Sequence, residues 1–460
     1  MLLCRFHFSQ MYLSNRRTNV FCGFAQTRNW KYKNCQRLGF GLEKKSRRIK
    51  TARAIKCFRP FAKFLMRIID LQKAKTQIAR SSTIRDINRQ IVLNYVRERE
   101  PISRAEIARE TALQRSTVSS IIGSLVEDGF IAETGAGASS GGRKPTMLRL
   151  RTDEIVAVGV DITPTTTTIA TANLAGKILN KEILQTSSDR TETFDEIVSR
   201  LLKITEKLKN QTVEIGVSVP GLVDEVSGVV SYVPYFHWKN WELKRELEKA
   251  VGLPVVVDND ANSIAIAELW FGRPEVRGIK HFISVLIAEG IGTGIIIDGQ
   301  IYRGQKGAAG EFGHMFVGED SGGVDCSCGN THCWEAFASN TATLGRFAKL
   351  TEKNEIDIDE IFALARKGDE AAVQVIDETT RYLAVGIVNL IVGLSPEAVI
   401  ISGKITSIWS VIEQKLLERI AENIKQKLPE TKVRASTLGE SPTLMGAISL
   451  SLIKKFASAR

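Results

Sequence analysis

Three cysteines and two histidines lie within 20 residues of one another, between residues 314 and 333. The run Gly310-Glu311-Phe312-Gly313-His314 is followed by Cys326-Ser327-Cys328 and then by Cys333-Trp334-Glu335. Thiolate and imidazole groups are the usual ligands of structural zinc, which they surround as a tetrahedron. The spacing therefore predicts a structural Zn²⁺ site, with these ligands: His314, Cys326, Cys328 and Cys333.

Two features of the same segment bear on this prediction. His332, immediately before Cys333, is a less favoured substitute for the histidine ligand. The alternative interpretation is three buried thiols beside an ordinary surface histidine. The close Cys-x-Cys spacing and Gly329, which permits a turn, disfavour it. If a metal fixes the loop, the interleaved carboxylates Glu311 and Glu335 can face a small polar ligand.

The positive charge of the chain is concentrated at its N-terminal end. Residues 1–65 hold 16 lysines and arginines against the single acid Glu43, whereas residues 151–460 hold 33 basic and 41 acidic residues. The length of 460 residues and the hydrophobic content of 43% fit two or more domains with their own cores. No run of 18 apolar residues occurs, so we expect a soluble, cytoplasmic protein with no membrane partner.

Residues 1–65 differ from the rest of the chain. They combine four cysteines, scattered aromatic residues and no sustained periodicity, and they lack the apolar core of a secretory signal. We expect this basic extension to be disordered or not part of the native protein, with Met66 as the true start. A flexible arm with nonspecific affinity for DNA and an organellar address are the alternatives.

Residues 66–150 have the pattern of a winged helix-turn-helix DNA-binding domain. Ser103, followed three residues later by Glu106, predicts a capping box at the start of a short helix. A second helix follows a tight turn and ends near Gly129. The N-terminal residues of such a helix reach base edges and phosphates in the major groove. The predicted DNA-binding residues of this helix are Arg115, Ser116, Thr117, Ser119 and Ser120.

A basic loop follows the second helix. Two short strand-like segments flank a glycine- and serine-rich loop that ends in Gly142-Arg143-Lys144-Pro145, which predicts a wing. An arginine in such a loop suits a narrow minor groove, and we predict that Arg143 and Lys144 bind DNA. A protein-docking module is the alternative, but the basic loop would have little purpose there.

Residues 151–460 alternate strand-like and helix-like segments. This alternation predicts an α/β architecture with ligand contacts at the carboxyl ends of strands. The predicted strands are residues 155–161, 166–172, 213–219, 255–257, 282–287, 294–297 and 399–401. The predicted helices are residues 192–209 and a segment that follows Asp258-Asn259-Asp260-Ala261-Asn262 and ends near Trp270.

Taken in order, these motifs resemble the ROK family of repressors, open reading frames and sugar kinases. The motifs that carry the resemblance, from about residue 82 onward, are the winged helix-turn-helix, Val219-Pro220-Gly221, Asn259-Asp260-Ala261-Asn262, Gly290-Ile291-Gly292-Thr293-Gly294, Gly310-Glu311-Phe312-Gly313-His314 and the cysteine cluster. The resemblance implies that residues 151–460 form two actin-like, ribonuclease-H-like lobes that close over a sugar. It also implies a zinc loop at about residues 310–335 and a homo-oligomer, either a dimer or a tetramer.

The resemblance also implies which residues surround the sugar ring: Asn259, Asp260, Glu311, His314 and Glu335. His314 would bind zinc through one nitrogen and face the sugar with the other. In ROK kinases the residue matching Asp260 is the general base that accepts the proton of the attacking sugar hydroxyl. Read in isolation, Asn-Asp-Ala-Asn could equally be the cap of a helix.

Three departures from the family pattern argue against a kinase. The family kinases have Asp-x-Gly-Gly-Thr where this chain has Asp161-Ile162-Thr163-Pro164-Thr165, and Gly-Thr-Gly where it has Ala288-Glu289-Gly290. Their later Gly-Gly segment is matched by Ser402-Gly403-Lys404. Pro164 lacks a backbone donor, and a carboxylate at Glu289 would repel phosphates. We therefore expect neither ATP binding nor enzymatic activity.

The sequence as a whole predicts a transcriptional regulator of carbohydrate-utilisation genes. We expect a repressor that binds an inverted repeat in double-stranded DNA and loses affinity when a small sugar closes the cleft. The alternatives are an ATP-dependent sugar kinase that retains a DNA-binding domain, and a DNA-bound scaffold or activator without a sugar response. Trp238 and Trp241 are expected either near the cleft or in the core.

Overall fold

A computed structural model describes residues 81–137, 144–151, 156–208, 214–272, 279–318, 325–353, 355–425 and 427–456. The predicted basic extension, residues 1–65, and the predicted DNA-binding residue Arg143 lie outside the described residues. Within the described ranges, no helix combines the length and the apolar character needed to cross a membrane.

A winged helix-turn-helix domain forms the N-terminal part of the described chain. Its elements are α1 (Ser81–Arg99), β1 (Ile102–Ser103), α2 (Arg104–Thr111), α3 (Arg115–Glu127), β2 (Ile131–Ala136) and β3 (Thr146–Leu150). The three strands pair antiparallel in the order β1-β3-β2. The predicted capping box is confirmed, because the Ser103 hydroxyl accepts from the Glu106 backbone N–H and the Glu106 carboxylate accepts from the Ser103 N–H. The apolar face of α3 is buried under α1 and α2.

The rest of the chain forms two α/β lobes. In chain order the first lobe contains β4 (Val156–Ile162), β5 (Thr166–Asn173), β6 (Ile178–Gln185), α4 (Arg190–Lys207), β7 (Ile215–Val219), β8 (Leu222–Asp224), β9 (Val229–Val233), β10 (Trp238–Trp241), α5 (Leu243–Val251) and β11 (Val255–Asn259). The remaining elements are α6 (Asp260–Phe271), β12 (Phe282–Ile287), β13 (Ile291–Ile297), β14 (Gln300–Ile301), α7 (Trp334–Ala338), α8 (Asn340–Thr351), α9 (Ile358–Arg366), α10 (Glu370–Leu394), β15 (Ala398–Ser402), α11 (Trp409–Asn423), β16 (Lys432–Ala435) and α12 (Pro442–Phe456).

The main sheets of the two lobes share one topology. The first is ordered β11-β7-β4-β5-β6 and the second β16-β15-β12-β13-β14. In each, the first three strands run parallel and the last three antiparallel. Asp161, near the end of β4, and Glu289, just after β12, are close enough to interact electrostatically, so the carboxyl ends of these two central strands face one site. The implied pair of ribonuclease-H-like lobes is thus confirmed.

Two helices join the lobes. Helix α12 packs on the sheet of the first lobe, α6 packs on the sheet of the second, and the two helices pack against each other. The contacts are close enough to require glycine: a Cβ on Gly216 would lie 2.0 Å from the Ala447 carbonyl oxygen, and one on Gly294 would lie 2.4 Å from that of Ala261. The sequence predicted that strand β13 starts at residue 294. Instead, β13 begins at Ile291, and glycines lie within the strand because α6 approaches it.

Candidate functional site

Residues of both lobes meet at one place, which we call the interlobe site. It comprises Asp161, Tyr235, Asn259, Asp260, Glu289, Glu311, His314 and Glu335. Gly290, in the turn between β12 and β13, and Gly292, in β13, leave room for these side chains. A Cβ on Gly290 would lie 2.1 Å from Glu335 Oε2 and 2.8 Å from the Tyr235 hydroxyl, and one on Gly292 would lie 3.9 Å from Asp260 Oδ1.

Asn259 holds the start of α6. Its Oδ1 accepts from the backbone N–H groups of Ala261 at 2.9 Å and Asn262 at 3.1 Å, and its Nδ2 donates to the Gly221 carbonyl at 2.9 Å. The residue is therefore a helix cap, as the alternative interpretation of the motif allowed. Only one N–H of the Asn259 amide is left for a ligand. The main effect of Asn259 is therefore to fix the position of Asp260.

Asp260 is the first residue of α6 and lies among other carboxylates. Burial is the main cause that raises the pKa of its carboxyl group to about 7, and the neighbouring carboxylates of Asp161, Glu311 and Glu289 contribute to the same shift. Close to neutral pH the group therefore exchanges between an acceptor-only carboxylate and a protonated form. Such a group can accept a hydrogen bond from a sugar hydroxyl, and in a kinase it could accept the proton itself.

An ion pair that the sequence did not suggest fixes the end of β11 at Asp258. Arg303, which follows β14 in the second lobe, donates from Nε and Nη2 to Asp258 Oδ2 at 3.0 and 2.7 Å. Asp258 is buried, and its Oδ1 accepts from the Asn259 backbone N–H at 2.8 Å. Arg303 also lies 3.3 Å from Glu225 of the first lobe. This arginine thus ties the second lobe to the first beside the interlobe site.

Glu335 and His314 link the interlobe site to the cysteine loop. Glu335 Oε2 accepts from the Ile291 backbone N–H at 3.0 Å, and its Oε1 accepts from the Ser327 hydroxyl at 3.0 Å. His314 has its Nε2 3.6 Å from Glu311 Oε2 and its Nδ1 3.2 Å from the sulfur of Cys326. The imidazole therefore faces the carboxylates with one nitrogen and the thiols with the other.

The four side chains predicted to bind zinc form one group. The ligand atoms of His314, Cys326, Cys328 and Cys333 all lie within 4.8 Å of one another. The sulfurs of Cys328 and Cys333 are 3.6 Å apart, close to the separation of ~3.8 Å for two thiolates on one tetrahedral zinc. A soft set of three thiols and one imidazole suits zinc better than magnesium or calcium. His332 lies outside this group and packs on the Phe316 ring, with 5.1 Å between centroids.

Sequence reasoning missed Tyr235 and directed attention to the nearby tryptophans instead. Trp238 and Trp241 lie in the core of the first lobe, with their indole N–H groups bonded to the Ser188 carbonyl and to Glu246. The three-residue turn Pro234–Phe236 instead directs the Tyr235 hydroxyl to Gly290. The sequence places Tyr235 close to Trp238 and Trp241, but nothing in it identifies which of the aromatic rings faces the site.

The positions that match the phosphate loops of kinases form closed turns. The Thr163 backbone N–H donates to the Thr166 carbonyl at 2.9 Å, and the Ala288 N–H donates to the Gly290 carbonyl at 2.9 Å. Asp161 is buried at the end of β4, and its Oδ2 accepts from the Thr443 hydroxyl at 2.6 Å. Burial raises the pKa of Asp161 to about 7.

The predicted DNA-binding side chains of α3 lie in the first two turns of that helix. Four of them are exposed and Thr117 is half-buried. The exposed four are Arg115, Ser116, Ser119 and Ser120. Gln114 caps α3 without a side-chain hydrogen bond, so the first turn of the helix presents its N–H groups and positive dipole end outward. Lys144 is exposed at the base of the wing.

Two family profiles match the chain. Residues 157–454 match the profile described as "ROK family", and residues 85–132 match "Winged helix-turn-helix DNA-binding". Among curated proteins, the xylose repressor of Bacillus subtilis (strain 168) is 30% identical over 378 residues, covering 81% of this chain and 97% of the relative. The DNA-binding transcriptional dual regulator NagC of Escherichia coli (strain K12) is 30% identical over 350 residues, covering 74% and 85%.

Solved structures of two kinds have the same fold. A ROK family transcriptional regulator, a homologue of the Escherichia coli MLC protein, is 27% identical with a TM-score of 0.63, covering 82% of this chain and 100% of that one. A ROK family glucokinase from Streptomyces griseus, in complex with glucose and AMPPNP, is 30% identical with a TM-score of 0.57, covering 64% and 99%. Profile, relatives and fold agree, and the chain belongs to the ROK family.

Proposed function

We propose that this protein is a sugar-responsive transcriptional repressor of carbohydrate-utilisation genes. The observation that carries the proposal is an exposed recognition surface on α3 in the same chain as an interlobe site lined by hydroxyl-binding groups. The relatives named as the xylose repressor and as NagC support a regulator that responds to a sugar. The domain division that we propose is a DNA-binding domain at residues 66–150 and a sugar-binding domain at residues 151–460.

In the proposed sugar site, the carboxylates accept hydrogen bonds from ring hydroxyls. Asp260 is the central acceptor, Asn259 orients it, and Glu311 and His314 contribute from the second lobe. Both oxygens of Glu335 already accept hydrogen bonds from the protein, so we assign it to aligning the Gly290 turn as well as to the sugar. A sugar that contacts groups of both lobes binds the closed arrangement of the lobes more tightly than the open one. It therefore shifts the population toward the closed arrangement.

We propose that the thiol and imidazole group holds a structural Zn²⁺. The metal would cross-link the segments that carry His314 and the three cysteines, and it would supply no further chemistry. His314 Nδ1 would bind it while Nε2 faces Glu311, so the metal would set both the position and the tautomer of the imidazole. This arrangement makes the sugar site dependent on the metal centre.

DNA binding by the proposed repressor uses two copies of the domain. Recognition helices of a symmetric dimer read half-sites about one helical turn apart, so we propose an inverted repeat as the operator and a dimer, or a dimer of dimers, as the binding species. The expected contacts come from the start of α3 in the major groove and from the wing, including Lys144, beside it.

The substitution of Arg115 by alanine is expected to weaken operator binding by about 5- to 150-fold, because a bidentate base contact is worth roughly 1–3 kcal/mol. The substitution of Lys144 by alanine should weaken binding to all sequences and reduce the salt slope by about 1. Both effects can be measured by fluorescence anisotropy at several salt concentrations. The control is Arg245→Ala, since Arg245 is exposed on α5. Equal losses in the control and in Arg115→Ala would contradict the assignment.

The kinase alternative has a direct test. We expect no phosphorylation of glucose, xylose or N-acetylglucosamine by the protein with MgATP, because the backbone donors at Thr163 and Ala288 are already bonded within their own turns. A coupled ADP-release assay measures the rate. If a turnover appears that Asp260→Asn abolishes, the kinase alternative is correct.

The experiment that tests the proposed function is selection of genomic fragments by the purified protein, with zinc present and at a stated salt concentration. The selection is repeated with each of the three sugars. We expect enrichment of a palindrome that one sugar abolishes. Folded, dimeric protein that enriches no fragment would overturn the proposal.

A further inference from the structure

The DNA-binding domain meets the two lobes at the point where the lobes meet each other. Helix α1 contacts both α6 and α12. Its apolar residues Val92, Leu93 and Val96 belong to one buried cluster that also includes residues of α6 and α12. The α6 members include Ile266 and Trp270, and the α12 members include Ile448 and Leu452. The winged domain and the lobes therefore share a core. A rearrangement of α6 against α12 must repack the surface on which α1 lies.

Polar groups of α1 complete the C-terminal end of α6. The Arg97 guanidinium donates from Nη1 to the Trp270 carbonyl and lies 5.1 Å from the centroid of the Phe271 ring. Asn94, which is buried, donates from Nδ2 to the Leu269 carbonyl at 3.5 Å. The last carbonyls of a helix have no partner within the helix, and a cation there also complements the helix dipole. Although burial lowers the pKa of Arg97 to about 10, the guanidinium stays charged at neutral pH.

The opposite ends of the same two helices lie at the interlobe site. Asp260 is the first residue of α6, and Thr443, in the first turn of α12, donates to Asp161 at the end of β4. Helix α6 spans 12 residues, about 18 Å, and nine of the 12 are buried. It therefore moves as a rigid element, and a displacement of its first turn reaches its last turn.

A second polar contact connects α1 to the recognition helix. Arg89 is buried and donates to the Ser124 hydroxyl at 2.5 Å and to the Asp128 carboxylate at 2.5 Å, both at the C-terminal end of α3. Helix α1 is thus held to α6 by Arg97 and Asn94 near its C-terminal end, and to α3 by Arg89 one to two turns earlier. A shift of α1 relative to the lobes would be passed on to α3.

We propose that α1 is the element that senses lobe closure: Arg97 and Asn94 clamp it to the end of α6, so a change at the Asp260 end of α6 resets the placement of the recognition helix. This inference rests on the proposed function, because it assigns a route to the proposed sugar response. Two recognition helices must match half-sites about 34 Å apart, so a small rotation of each α1 is enough to change operator affinity.

The test compares coupling in the wild-type protein and in Arg97→Ala. Coupling is the ratio of operator dissociation constants with and without a saturating sugar, using D-xylose and N-acetylglucosamine as probes. We expect a wild-type ratio of about 10-fold or more for one of them, and a ratio within about 2-fold of unity for Arg97→Ala, while its sugar affinity changes by less than about 3-fold. Asn94→Ala should lie between the two. Arg99→Ala is the matched control, since Arg99 pairs with Glu110 on the outer surface of the winged domain.

Hydrogen exchange supplies a second readout, which remains available if Arg97→Ala fails to fold. In the wild-type protein the sugar should alter amide exchange both in residues 262–272 of α6 and in residues 91–99 of α1. In Arg97→Ala and Asn94→Ala, only residues 262–272 of α6 should respond to the sugar. A folded Arg97→Ala with wild-type coupling, or a wild-type protein whose α1 does not respond to the sugar that releases DNA, would overturn the inference and leave the proposed function intact. A wild-type protein whose operator affinity no sugar changes would overturn both.

Discussion

Replacement of Cys326 by serine is expected to abolish binding of the proposed Zn²⁺ and to lower Tm by about 10 °C or more, since a structural zinc site contributes its binding free energy to folding. Cys326 is buried, and its sulfur lies beside both His314 and Glu335. Loss of the metal should therefore also release the two side chains that connect the cysteine loop to the interlobe site. Sugar affinity should fall together with the zinc content, as measured by calorimetry and by metal analysis of the same preparation.

The neighbouring histidines provide the matched control for the metal site. His314→Ala should lose zinc, because its Nδ1 faces the thiols, whereas His332→Ala should keep zinc and a Tm within about 2 °C of the wild type, because His332 packs on Phe316 outside the group. Chelator treatment of the wild-type protein should reproduce the Cys326→Ser result. Retention of one zinc per chain by Cys326→Ser, or loss of zinc in His332→Ala alone, would refute the ligand assignment.

Asp260→Asn is expected to weaken sugar binding by about 10- to 150-fold, because a hydrogen bond to a charged group is worth roughly 1.5–3 kcal/mol. The same change should stabilise the free protein at pH 8. Asparagine is neutral, so it removes the unfavourable interaction of a desolvated carboxylate with Asp161, Glu311 and Glu289. We expect Tm to rise by about 2–4 °C at that pH while affinity falls.

The pH dependence of this gain follows from the direction of the pKa shift. The folded protein holds the Asp260 proton up to a pKa of about 7, whereas an unfolded chain releases it around the ordinary pKa of 3.8 for an aspartate. Between these two pKa values the folded state binds more protons than the unfolded state, so the free energy of unfolding falls as the pH rises. Above pH 7 the full destabilisation by this carboxylate remains. The advantage of Asp260→Asn should therefore be largest at pH 8 and vanish near pH 4. Asp298→Asn, an exposed change, should show neither effect.

Short-range patterns in the sequence were sufficient for the local structure. The capping box at Ser103 occurs where the sequence predicted it, because capping depends on residues three or four positions apart. The cap at Asn259 is the alternative that the sequence left open for that motif. The cysteine and histidine spacing likewise identified the atoms that converge within 4.8 Å. Strand ends differ from prediction by one to a few residues, since fraying and pairing partners set them.

Other elements were not predictable from the same patterns. Helix α10 has 25 residues, yet it went unpredicted, because its second half is rich in β-branched residues and contains Gly386, which lowers helix propensity. The fold requires that glycine, since a Cβ there would lie 2.0 Å from the Trp334 ring. Strands β8, β9 and β10 were also missed. They are short, and their apolar alternation is interrupted by turns.

The family, the winged domain, the two α/β lobes and the four side chains that could hold a metal all follow from the sequence alone, because periodicity, caps and ligand spacing are properties of neighbouring residues. Only the tertiary structure decided which distant residues meet. Arg303 pairs with Asp258 across 45 positions, and Asn94 reaches the end of α6 across 175. Tyr235, and not Trp238, faces the interlobe site. Such pairings depend on the order of strands and the packing of α6 against α12, and a linear pattern carries no record of either.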